Sequence, residues 1–136
     1  MPAPLMRVMN GIIFGIFRNR SFNGGRLLML TTVGARSGVQ RKSTLGYFPD
    51  GDNAWIIIGS AGGAASHPAW VYNLAKHPDQ VWVEIGRERI HVHPELLGGE
   101  ERAKAWRRVV AEAANFAKYE TATDREIPVV RLTRVP

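Results

Sequence analysis

The chain has no cysteine. That excludes disulfide frameworks, thiolate metal sites and cysteine nucleophiles together, and it suits a reducing cytoplasm. No apolar run approaches the roughly 20 residues that a membrane-spanning helix needs. Acid is missing from a whole region: residues 1–49 hold Arg7, Arg18, Arg20, Arg26, Arg36, Arg41 and Lys42, and no Asp or Glu. The region carries +7 and the remaining 87 residues carry −1, so the net +6 belongs to one segment. Lysine is scarce as well, since fourteen of the eighteen cations are Arg. The Arg fork grips phosphate and carboxylate, where Lys offers a point charge. The natural partner is anionic: a nucleic acid, an acidic membrane or a phosphorylated small molecule.

What is present suits one globular domain of 136 residues, 45% apolar and 22% charged, able to bury a core without staples. Leu5, Val8, Met9, Ile12, Ile13, Ile16 and Phe17 recur at helical spacing. An amphipathic helix is therefore expected over 1–20, ahead of a domain over 21–136. It either packs on that domain or lies in a lipid interface, which would place the protein at the inner face of the membrane. Strands are expected over 26–33, 40–48, 55–58, 80–85, 88–97 and 127–133, and helices from Pro68 to before Pro78 and over 100–118. Pro49-Asp50-Gly51-Asp52 reads as a hairpin turn. Trp55 to Ile58 is apolar throughout, so it should be buried on both faces. The order predicts an α+β fold, a sheet or small barrel of about six mostly antiparallel strands with flanking helices, and not a doubly wound parallel sheet.

Chemistry-bearing residues are sparse. His91 and His93 share a strand face, but no third metal ligand lies near. His67 and His77 each precede a proline at a helix end, and capping suits them. No carboxylates pair for acid–base work, and Ser60 lacks the elbow of a hydrolase nucleophile. The small-residue loop from Gly59 has the wrong spacing for a phosphate fingerprint, although it leads from a buried strand to a helix. The best anion candidate is Gly34-Ala35-Arg36-Ser37-Gly38 with Arg41 and Lys42, a turn whose N–H groups could converge beside arginine forks. Aromatic interleaving is weak, so single-stranded nucleic acid fits less well than a small phosphorylated ligand.

The run Leu28-Met29-Leu30-Thr31-Thr32-Val33-Gly34-Ala35-Arg36-Ser37-Gly38 with Arg41 resembles the opening motif of the deazaflavin-dependent nitroreductase family. The likeness continues through Pro49-Asp50-Gly51-Asp52, Ser60-Ala61-Gly62-Gly63, His67-Pro68-Ala69-Trp70 with Asn73-Leu74, Thr123-Asp124-Arg125 and Ile127-Pro128-Val129. It implies a split β-barrel like that of FMN-binding proteins, with coenzyme F420 as hydride donor. It further implies that Arg36, Ser37 and Arg41, with Ala35 and Lys42 beside them, contact the cofactor phosphate. By the same resemblance Ser43, Thr44 and Leu45 lie along the ring, Gly59, Ser60 and Ala61 meet its polar edge, and Ala69, Trp70 and Asn73 close over it. Phe116 and Tyr119 would wall the substrate pocket, and Ser60 or Tyr119 would donate a proton. Two departures stand out. The basic residue common where Ala61 stands is absent, which makes Lys42 its replacement, and a proline common at Thr44 is missing. The reading is a hydride transfer from reduced F420 to a small acceptor: a quinone, an activated enone or a nitro compound. The alternatives are an FMN-binding barrel and a non-catalytic carrier of lipid or another apolar ligand. Nucleic acid is not expected as a partner. The protein is expected as a monomer or homodimer.

Overall fold

The computed structural model describes residues 26–60, 67–122 and 125–136, with the backbone alone for 119–122. The helix expected over 1–20 and the loop 61–66 lie outside the described residues. Strands β1 (Leu27–Val33), β2 (Gln40–Gly46), β3 (Phe48–Pro49), β4 (Ala54–Ile58), β5 (Trp82–Ile85), β6 (Glu88–Leu96) and β7 (Val129–Arg134) form one sheet in the order β2-β1-β5-β6-β7-β4-β3. Every pairing is antiparallel. The order begins with β2 and ends with β3, yet only Tyr47 separates these two in the chain. A flat sheet cannot join its outer strands through one residue, so the sheet curls into a split barrel. The expected strand over 40–48 divides at Tyr47, whose N–H still donates to Arg26 O at 3.1 Å beside the β1–β2 ladder, before Phe48 and Pro49 pair with β4.

Local chemistry sets the hairpins. Gly38, Gly51 and Gly86 sit at φ values of 71°, 80° and 61°, where a side chain would be strained. They fall in the β1–β2, β3–β4 and β5–β6 turns respectively. Strand β4 is buried along its apolar run, as its sequence predicted. Trp55 and Ile57 enter one core with Leu28, Leu30, Val83 and Leu132, while Ile56 and Ile58 enter a second with Phe48, Val109 and Val129. One strand thus walls two cores, and each fully buried side chain contributes about 1.5–3 kcal/mol relative to exposure.

The helices are α1 (Ala69–Lys76), α2 (Gly99–Glu112) and α3 (Asn115–Ala122). The single helix expected over 100–118 is interrupted. Its ladder closes with Ala113 N–H donating to Val109 O at 2.8 Å, and Ala113 adopts an extended conformation. After the break the Phe116 ring packs edge-on against Phe48, with centroids 5.9 Å apart. That long-range contact is invisible to helical periodicity. Helix α2 carries Glu100 and Glu101 in its first turn, where the helix dipole favours them.

Candidate active site

Helix α1 organises the site. It begins after Pro68, whose lack of an N–H costs nothing at that point. Trp70 and Leu74 anchor it in the first core, with Trp70 only 4% exposed. From this anchored helix Asn73 reaches the β1–β2 turn. Its Oδ1 accepts from Ala35 N–H at 2.9 Å, and its Nδ2 donates to Thr32 Oγ1 at 3.1 Å. Both ends of the buried amide are used to hold the backbone where the basic turn begins.

The turn itself differs from the expected cradle of converging N–H groups. Gly34 N–H donates to Val39 O, Gly38 N–H to Gly34 O, and Val39 N–H to Ser37 Oγ. With Ala35 held by Asn73, the amides of these four residues are committed within the fold. Gly34 is required by space, because a Cβ there would stand 2.5 Å from Ser37 Oγ. The amides of Arg36 and Ser37 make no such bond among the described residues, so an anion at this turn could be met by these two N–H groups as well as by side chains. Arg36 and Ser37 are exposed and Arg41 is half-buried. Among the described residues neither Arg36 nor Arg41 has a carboxylate partner.

Strand register separates the neighbouring candidates. Arg41, Ser43 and Leu45 pair with Thr32, Leu30 and Leu28, so they share the face that bears the first core and the Asn73 contact. Lys42 and Thr44 pair with Thr31 and Met29 on the opposite face. There Thr44 Oγ1 donates to Met29 Sδ at 3.8 Å, and Lys42 Nζ lies 4.0 Å from Glu84. Lys42 thus stands across the sheet from Arg41.

The other end of α1 meets Gly59 and Ser60. A Cβ on Gly59 would stand 3.0 Å from Val71 Cγ2 and 3.3 Å from Pro128, so this glycine admits helix and strand to close contact. Gly59 N–H donates to Pro128 O at 2.9 Å. Ser60 is 8% exposed, and its carbonyl accepts from Arg125 Nη2 at 2.7 Å. Arg125 Nη1 lies 2.8 Å from His67 Nδ1. Nothing in the sequence reading singled out Arg125 for this contact; its spatial neighbours are 58 and 65 residues away.

Of the remaining candidates, Ala69 is exposed at the start of α1. Phe116 is 8% exposed within the second core, so little of its ring is left to touch an acceptor. Ala61 lies outside the described residues, as does the side chain of Tyr119 on α3. His91 stacks on Trp82 with centroids 5.0 Å apart, and its Nε2 lies 2.9 Å from Asp79 O. No cluster of three metal-ligating side chains occurs among the described residues. No helix among them is long and apolar enough to cross a membrane.

An antiparallel sheet curled until one bent strand joins its ends, with a helix laid between a basic turn and a strand end, is the split barrel of FMN-binding-like proteins. A pyridoxamine 5'-phosphate oxidase-like chain from Listeria innocua shares this fold at a TM-score of 0.56 and 12% identity, covering 94% of each chain. The chain belongs to the F420H(2)-dependent quinone reductase family, whose model matches residues 14–134. An F420H(2)-dependent quinone reductase of Mycobacterium tuberculosis (strain ATCC 25618 / H37Rv) is 38% identical over 110 residues, covering 79% of this chain and 72% of the relative. A solved F420-H2 dependent reductase superposes with a TM-score of 0.70 at 33% identity, covering 78% of this chain and 92% of that one. A domain-swapped dimer superposes with a TM-score of 0.71 at 28% identity, covering 96% and 99%.

Proposed function

We propose that this protein binds reduced coenzyme F420 along α1 and passes its hydride to a quinone, with activated enones and nitro compounds as further acceptors. The observation that carries the reading is the pair Arg36 and Arg41, cationic forks without a carboxylate among the described residues. They flank a turn whose position is held by Asn73. Unpaired guanidinium groups on a rigid turn suit a phosphate and a polyglutamate tail. When bound, the deazaflavin supplies a two-electron hydride donor. The chain's own work is to grip the tail with Arg36, Ser37 and Arg41, offer Ser43 and Leu45 from the same face of β2 as Arg41, and keep water from the reacting face.

A quinone that accepts hydride develops negative charge on oxygen, and a nearby hydroxyl lowers the cost of that charge. Ser60 and Tyr119 are the proposed donors. Stopped-flow oxidation of the bound reduced cofactor by a quinone tests them. Ser60→Ala or Tyr119→Phe should slow it at least about tenfold, since loss of an oxyanion donor costs roughly 10²–10³ in turnover. Wild-type rates in both variants would remove the assignment.

The cofactor itself is tested by comparing F420 with FMN in a fluorescence-quenching titration. Tighter F420 binding supports the reading. Tighter FMN binding favours a flavin barrel, and binding of neither favours a carrier of apolar ligands. Vesicle co-sedimentation of the full chain and of a variant lacking residues 1–20 tests the membrane contact. Sizing with and without F420 decides between monomer and homodimer.

A further inference from the structure

We infer that Arg125 is a positioning residue: it fixes the Ser60 carbonyl and the His67 ring relative to each other, and so sets where the Gly59–Ser60 backbone stands for the bound cofactor. The last clause rests on the function proposed above. Arg125 lies in the segment that enters β7, yet its two terminal nitrogens reach the residue that follows β4 and the residue ahead of α1. Nη2 donates to Ser60 O at 2.7 Å, and Nη1 lies 2.8 Å from His67 Nδ1. A guanidinium has donors only, so Nδ1 of His67 is the acceptor and the neutral ring carries its proton on Nε2. Among the described residues, Arg125 and Tyr72 face this ring, the latter at a centroid distance of 5.8 Å. Protonating His67 would set donor against donor and break the pairing.

The same two elements grip the backbone on the other side of Ser60. Gly59 N–H donates to Pro128 O, and Val71 and Pro128 fill the space where a Gly59 side chain would stand. Ser60 is therefore held through its carbonyl by a charge-assisted bond, and the preceding Gly59 by Pro128 and by Val71 of α1. Helix α1 also carries Asn73, which holds Ala35 at the basic turn. Arg125 is thus linked through His67 and α1 to the far end of the proposed cofactor site. A displacement of about 1 Å in such a site can cost roughly a hundredfold in rate.

The experiment uses the full chain and two readouts. Side-chain nitrogen NMR of the cofactor-free protein should show His67 Nδ1 unprotonated in the wild type, with mixed tautomers in Arg125→Lys. Stopped-flow oxidation of bound F420H2 by a quinone should slow about tenfold or more in Arg125→Lys, Arg125→Ala and His67→Phe. F420 affinity should change less than about threefold, because the tail contacts lie elsewhere. Combining Arg125→Lys with His67→Phe should be no slower than the worse single variant, as expected of residues that act as one unit. Arg125→Lys keeps the charge, so it remains informative if Arg125→Ala fails to fold. A protonated Nδ1 in the wild type, a wild-type rate in folded Arg125→Lys, or multiplying losses in the double variant would each overturn the role of Arg125. A wild type that binds no F420 overturns the proposed function and the cofactor clause, while the His67 tautomer still decides whether Arg125 holds that ring, which separates the two failures.

Discussion

The β1–β2 turn and the β3–β4 turn carry arginines in opposite circumstances. At the β3–β4 turn Asp50 receives Arg131 Nε at 2.8 Å and Arg108 Nη1 at 3.1 Å, and Arg131 reaches on to Glu95 and Glu101. Arg108 Nη2 also donates to Pro49 O at 2.6 Å. At the β1–β2 turn Arg36 and Arg41 find no carboxylate among the described residues. The acid-free first 49 residues can obtain carboxylates only from later in the chain. The fold delivers Glu112 to Arg26 and Glu84 to the neighbourhood of Lys42. Identical side chains therefore serve cohesion in one region and, among the described residues, meet no carboxylate in the other.

Electrostatics at the paired region follow. Partial burial pushes the Asp50 carboxyl up, but hydrogen bonds and charge from Arg131 and Arg108 outweigh it and hold the group below its ordinary range. Arg131 is pushed up in turn, first by its hydrogen bond to Asp50. The side chains of Asp50 and Arg131 are 24% and 26% exposed, so this pair is screened less than the surface pairs around it.

The comparison breaks most visibly in ligand affinity. Replacing Arg36 and Arg41 together by Ala should weaken F420 binding by about 10²–10⁴-fold if each charge-assisted contact contributes roughly 1.5–3 kcal/mol. The denaturant midpoint should hardly move, because neither side chain has an ionic partner among the described residues. A fall in stability without loss of affinity would reverse the assignment of the two regions. Fluorescence titration and urea unfolding on the same samples read both.

Next in size, Asp50→Asn should cost about 1.5–3 kcal/mol of stability at pH 7, discounted toward the lower figure for the half-exposed Arg108, and leave F420 affinity within about twofold. The pH dependence gives the sign. The folded carboxyl titrates below its unfolded value near 3.9, so its stabilisation is complete above that pH and is lost as pH falls through the folded value. The gap between wild type and Asp50→Asn should therefore be widest at neutral pH and shrink as the pH falls below the unfolded value. A gap that widens in acid would contradict the pairing.

Asn73→Ala should affect both properties by smaller amounts. Ala35 N–H and Thr32 Oγ1 would lose their partner, costing about 1–3 kcal/mol, and a looser turn should weaken F420 binding by about threefold to tenfold. The smallest effect is that of salt. Raising ionic strength from about 0.05 to 0.5 M should weaken F420 binding several-fold and shift the unfolding midpoint little, since exposed contacts to a polyanion are screened more than the Asp50 pair.

Much of the fold was legible because its signals are local. The unbroken apolar run of β4 announced burial on both faces, and the structure uses it as the wall between two cores. The glycine turns at 38, 51 and 86 were visible because only glycine adopts their backbone angles without strain. The basic turn stood out by charge alone. That Asn73, a residue of α1 far along the chain, takes the Ala35 amide of that turn could not be read from local pattern.

What the sequence determined by itself was therefore the strand and turn pattern, the location of the excess positive charge, and a family motif spread along most of the chain. The tertiary structure decided which arginines find a carboxylate among the described residues, that Arg41 and Lys42 face opposite ways from adjacent positions, that the last long helix breaks before Phe116, and that Arg125 reaches Ser60 and His67. Each of these depends on groups 38 to 86 residues apart or on which strand lies alongside. Helical and strand periodicity act over a few residues, whereas a charge or a buried amide is satisfied only by what folding brings beside it.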